Sequence, residues 1–166
     1  MVQTLALTKG RAGAAAFRVD QQVTNRLTAT TDTWLYFGSG RNAANAAVNE
    51  LSAAQVKAGG GLVAAWKEGT KTYNSRWSYG ATAIANQLFV FGGNSGTAST
   101  SGTSGQLCGP GGQCAVAPGV QNFNSGIGLA TARAAFGMCT QAGRIFAVGG
   151  QNAAGAPLSS VESTLW

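Results

Sequence analysis

Histidine is absent from this chain, which removes the commonest general base and metal ligand. The groups left that could do chemistry are few. They are the carboxylates Asp20, Asp32, Glu50, Glu68 and Glu162, and the thiols Cys108, Cys114 and Cys139. No Ser/His/Asp or Cys/His set can be assembled from them. Two thiols without a histidine do not complete a tetrahedral zinc site. Gly59-Gly60-Gly61 and the glycine-rich stretch 109–112 lack the Lys-Ser/Thr that a phosphate loop requires. No catalytic, metal or cofactor-binding residue is expected.

Cys108 and Cys114 flank Gly-Pro-Gly-Gly-Gln, a spacing that lets the chain turn back and pair them. A disulfide is the expected state, ahead of a metal site or two free thiols. It would pin a Gly/Ser/Thr-rich insertion over 94–124 that has little to bury. Disulfides persist in oxidising compartments, so an extracellular or periplasmic location is expected. Cys139 sits in a small-residue run and reads as a buried free thiol, a small apolar filler.

What positions these residues is a repeat. Two stretches align without a gap at an offset of 57 residues, as from Arg76 to Arg133. Each has an Arg, a small-residue run, a polar turn, and a short apolar run that stops at a glycine pair, Gly92-Gly93 or Gly149-Gly150. A looser copy starts at Arg11 and ends in Gly38-Ser39-Gly40, with an extra segment from Arg18 to Asp32. Apolar runs of this length bounded by turn residues read as buried strands. The paired glycines suit tight strand ends or close backbone approach. Glu50 and Glu162 each fall 12 residues after a glycine of this motif, Gly38 or Gly150, and are expected at equivalent repeat positions. Carboxylates that recur with the fold serve the fold, and Arg11, Arg76 and Arg133 read likewise as inter-strand braces. Nothing reads as a long helix.

Arg, a strand ending in Gly-Gly, a following Val161-Glu162 strand and a closing Trp166 resemble the kelch repeat, met best over residues 128–166. The resemblance implies an all-β fold of kelch-like β-propeller blades, each of four antiparallel strands, with about three blades in one domain spanning 1–166. The blades would cover roughly 5–66, 75–126 and 127–166. Trp66 would close the first. Some kelch propellers are copper oxidases using Tyr, Cys and His; without His that activity is not implied. Three blades do not close a ring, and open blades expose strand edges. Either two copies make one six-bladed ring, or these blades are part of a longer polypeptide, or the open faces dock on another protein, so a protein partner or self-association is expected to complete the propeller.

Hydrophobic residues make up 45% and charged residues 10%, a globular composition. The net charge of +6 comes from scattered Lys and Arg, so no nucleic-acid stripe is expected. No apolar run is long enough for a membrane span. Two functions remain. One is a non-enzymatic interaction or structural module binding protein through its 94–124, 41–47 and 151–157 segments. The other is a carbohydrate-binding or carbohydrate-active fragment, with Trp66, Tyr73 and Trp77 stacking on sugar and its catalytic groups elsewhere.

Overall fold

The computed structural model describes residues 7, 9–25, 28–57, 59–62, 66–69, 75–108 and 119–166. Twelve strands run through them. They are β1 (Ala15–Asn25), β2 (Thr28–Gly38), β3 (Leu51–Val56), β4 (Lys67–Glu68), β5 (Gly80–Ile84), β6 (Gln87–Phe91), β7 (Ser99–Cys108), β8 (Gly119–Asn124), β9 (Gly128–Arg133), β10 (Gly137–Gln141), β11 (Arg144–Val148) and β12 (Val161–Leu165). No helix occurs among the described residues.

The strands form three antiparallel sheets in chain order: β1-β2-β3-β4, then β5-β6-β7-β8 with β9 also on β7, then β10-β11-β12. The third sheet has three strands among the described residues, not four. β5 touches both β1 and β10, so the sheets stack as successive blades, with β5 in the middle of the three first strands. The two inner hairpins close through two-residue turns with both residues at positive φ, Ala85-Asn86 at 47° and 63° and Ala142-Gly143 at 48° and 74°. That geometry matches the twist of the flanking strands, and Asn86 and Gly143 tolerate it well.

Three expectations change. The segment from Arg18 to Asp32 is extra relative to the other blades but is no separate excursion; it is the far part of one long hairpin, whose register runs from Ala15 opposite Gly38 to Asn25 opposite Thr28. The 94–124 segment is not a polar excursion either. Ser99–Cys108 and Gly119–Asn124 are the third and fourth strands of the second blade. Its glycines are used for close packing: a Cβ on Gly102 would meet the Phe91 ring at 2.8 Å, and one on Gly105 would meet Val120 at 2.4 Å. Cys139 is exposed, not buried. It lies on β10, the last of the three first strands, and among the described residues no further sheet covers that side.

The core lies between blades. Phe17, Val19, Trp34, Tyr36, Leu51 and Ala53 of the first sheet pack on Tyr79, Leu88, Val90 and Leu107 of the second. Phe17 stacks on Tyr36 with ring centroids 5.5 Å apart. Between the second and third sheets, Phe91 and Leu129 meet Ile145 and Ala147 around a small apolar crevice.

Candidate functional site

The repeat arginines are the polar skeleton of the blades. Arg133 is fully buried. Its Nη1 donates to the carbonyls of Gly149 (2.9 Å) and Ser160 (3.2 Å). Its Nη2 donates to Ser160 Oγ (3.0 Å) and Glu162 Oε1 (2.6 Å). Arg11 does the same in the first blade, donating to the Glu50 carbonyl (2.9 Å), Glu50 Oε2 (3.1 Å) and Ser52 Oγ (3.2 Å). Arg76 donates to the carbonyls of Gly92 (2.7 Å) and Ser101 (3.2 Å). The Arg76 and Arg133 guanidinium groups thus bridge the end of one strand to the start of the next, and Arg11 holds the start of β3.

These bonds fix the true equivalences. The amides of Ser39, Gly92 and Gly149 donate to the carbonyls of Glu50, Ser101 and Ser160 respectively. Glu50 therefore corresponds to Ser160, and Glu162 to Ser52 and Thr103. The two glutamates are not at equivalent positions. They stand two residues apart on the same strand face, and both reach the guanidinium, because side chains of a strand repeat with period two. Counting from Gly38 misleads, since Gly38 ends β2 and corresponds to Val148; the pair equivalent to Gly92-Gly93 is Ser39-Gly40.

Burial alone would raise the Glu162 carboxyl. Hydrogen bonds from Arg133, from the Ala130 and Thr131 amides and from the Thr131 hydroxyl outweigh it and hold the group below its usual 4.5. A carboxyl depressed in the folded state adds stability above its unfolded pKa and loses it as pH falls through the lower folded value. Urea unfolding should therefore show stability falling as pH drops below about 4.5. Glu162→Gln should flatten that slope, and an unchanged slope would exclude the carboxylate as its source.

The exposed chemistry is on one rim, where each blade's second strand turns into its third. Asn42 Oδ1 caps a turn by accepting from the Ala46 amide (3.0 Å). Asn152 Oδ1 does so from Ala154 (3.0 Å) and Ala156 (2.9 Å). Asn45 (φ 63°) and Gly155 (φ 78°) take the left-handed residue of each turn. Isolated bridges close both loops, Arg41 to Ala47 and Gln151 to Pro157, and close a shorter third one, Asn94 to Ala98. The first two have one sequence, Asn-Ala-Ala-(Asn/Gly)-Ala-(Ala/Pro), at 42–47 and 152–157. Sequence reasoning picked out both segments without seeing that they repeat, because the intervening blade has a shorter turn in their place and the match appears only two blades apart, at the offset of 110 that also relates Ser39-Gly40 to Gly149-Gly150. Beside them a polar cavity of about 180 Å³ is lined by Ser75, Arg76, Gly92, Gly93, Asn94, Ser95, Ser99 and Ser101.

The Arg41 guanidinium lies 6.0 Å from the Trp77 ring centre, tying the first loop to the second blade. Trp66 meets Phe37 edge-on at 6.5 Å, inside the first blade. Tyr73 and Cys114 lie outside the described residues, and so does the proposed Cys108–Cys114 bond. No cluster of metal-ligating side chains occurs among the described residues.

A family profile described as the kelch motif matches residues 132–163. No curated protein matches the chain. Among solved structures, "Structure of YjhT" is similar over 97% of this chain and 47% of its own, at 13% identity and a TM-score of 0.62. This chain spans about half the length of that structure, and at that identity the likeness speaks for the fold. The bracing arginines, the glycine-paired strand ends and the stacked antiparallel sheets, with the kelch motif in the last of them, identify the chain as a run of three kelch-type β-propeller blades.

Proposed function

We propose that this chain is a non-enzymatic protein-interaction module, an extracytoplasmic segment of a kelch-type propeller that binds a protein partner through its rim loops. The observation that carries this reading is the pair of matching, asparagine-capped loops at 42–47 and 152–157, with the shorter 95–97 turn between them. Residues 42–46 and 153–157 are exposed, yet their backbones are closed by hydrogen bonds. Exposed loops held rigid by a scaffold suit recognition, because little ordering entropy is lost on binding. Replacing 42–46, 95–97 and 153–156 by Gly-Ser should leave the melting temperature within a few degrees. It should abolish capture of a partner that the intact chain pulls down and that binds it again when purified. Capture that survives all three replacements would sink the proposal.

A second reading, binding of carbohydrate, is favoured by the hydroxyl-rich cavity beside Arg76. A glycan array separates the two: saturable binding to a defined glycan, lost in Asn94→Ala, would support it.

The extracytoplasmic part rests on the Cys108–Cys114 pair. Protein made in an oxidising compartment should react with one equivalent of a thiol reagent, at the exposed Cys139, out of three cysteines. Three reactive thiols after denaturation without reductant would remove the support for that location.

A further inference from the structure

Both blade junctions in this chain are built alike. An aromatic ring three residues after the bracing arginine enters the preceding blade. The Tyr79 hydroxyl donates to the Gly38 carbonyl and accepts from the Ala15 amide at 3.3 Å. The Phe136 ring occupies the space over two glycines of the second blade, where an added Cβ would meet it at 2.6 Å from Gly80 and 2.8 Å from Gly92. Backbone bonds sew the same seam. Gly40 N–H donates to the Arg76 carbonyl at 3.0 Å, and Gly93 N–H to the Arg133 carbonyl at 2.9 Å. Ser78 N–H donates to the Gly13 carbonyl at 2.6 Å, and Ala135 N–H to the Ser78 carbonyl at 2.7 Å.

The third blade repeats the receiving half of this junction. Gly137, Gly149 and Gly150 stand where Gly80, Gly92 and Gly93 stand. A Cβ on Gly137 would meet only the Val148 carbonyl, at 3.8 Å. Phe91 is 2% exposed under the third blade, but its counterpart Val148 is 45% exposed. Cross-strand pairing puts Val161 on the same face, and it is 58% exposed. The Gly150 N–H and the Ala135 carbonyl, next in each series of bonds, take no partner among the described residues.

We propose that this face is the docking surface for another kelch-type blade, one whose chain leads with Tyr or Phe three residues after an arginine, and not for the first blade of a second copy. In this chain the residue three after Arg11 is Ala14. A copy docking head to tail would leave the volume of the ring empty, and an unfilled cavity forfeits both transfer free energy and packing. It would also press an exposed Arg18–Asp20 ion pair toward the apolar Val148 and Val161.

The test appends a second copy of residues 109–166 after Trp166 of the full chain. A twin carries Phe136→Ala in the appended copy only. A third variant appends residues 66–126, which bring Tyr79, so that one misfolded appendage does not decide the matter. Hydrogen exchange at Gly150 and the solution mass are measured. The appended blade should slow exchange at Gly150 by about tenfold or more, and the Phe136→Ala twin should lose most of that protection. The unmodified chain should exchange freely there and form no defined dimer. Equal protection in the twin overturns the proposal, as does no protection from either appended blade. A defined dimer of twice 16.7 kDa with Gly150 already protected overturns it in favour of a second copy.

Discussion

Arg133→Ala should destabilise the protein by about 2–4 kcal/mol, because it takes a charged donor from the part-buried Glu162 carboxylate and donors from the Gly149 and Ser160 carbonyls at once and leaves a cavity where a fully buried side chain stood. Arg133 is fully buried, and the Glu162 side chain is 18% exposed. Solvent reaches the carboxylate edge but not the buried carbonyl side of the guanidinium site. The loss is of pairing and not of charge as such. The double change Arg133→Met with Glu162→Leu removes both ions and retains volume, and should recover most of the deficit. Urea unfolding of wild type, both single variants and the double variant forms a cycle that isolates the coupling. A coupling near zero would mean that the arginine acts through its carbonyl bonds to Gly149 and Ser160 alone. Lys9 should matter much less: its ammonium bonds to Glu50 at 2.7 Å but is 59% exposed, and exposed pairs contribute little.

The second large effect is expected at Gly92. Its φ is +58°, and a Cβ there would lie 2.5 Å from the Arg133 carbonyl oxygen, which is backbone and cannot swing away. Gly92→Ala should cost about 2–5 kcal/mol, combining left-handed strain with overpacking. Gly149→Ala is the control. Its φ is +65°, but its nearest neighbour is the Leu158 carbonyl at 3.4 Å, so only strain of about 1–2 kcal/mol remains. The difference between the two measures how tightly one blade presses on the next. Equal losses would show that the junction is looser than these distances describe.

Much of this fold was legible. The strands β6 and β11 announce themselves as apolar runs stopped by glycine pairs, because large side chains buried between sheets leave a strong hydrophobic signal. The arginines were legible because a buried cation must recur with its acceptors. β7 was not. Ser-Thr-Ser-Gly-Thr-Ser-Gly has low strand propensity, and it is a strand because it is paired on both edges and because Phe91 and Val120 fill the space its glycines leave. The exposure of Cys139 was hidden for a related reason: local sequence shows which strand face is apolar, but not whether another sheet lies over it. The matching loops at 42–47 and 152–157 were present in the letters. They were obscured because the blade between them has only the short turn at 95–97 in their place, so the match appears two blades apart.

The two glutamates show how a site can persist while its column moves. Arg11 reads its carboxylate from position 50 and its hydroxyl from 52, while Arg133 reads the hydroxyl from 160 and the carboxylate from 162. A position-by-position comparison scores the first blade as lacking its acid, whereas the guanidinium meets the same pair of groups in either order.

The direction of the aromatic plug has a consequence for synthesis. The first two blades are completed by residues that follow them in the chain: Tyr79 finishes the sheet that ends at Glu68, and Phe136 finishes the sheet whose last strand, β9, ends at Arg133. A blade leaving the ribosome, with chains emerging at roughly 5–20 residues per second, waits with its cleft open until the next arginine and ring are translated. Maturation of this chain is therefore expected to run from the first blade to the last, and a pause in translation just before residue 76 or 133 would hold an unplugged blade in front of the chaperones.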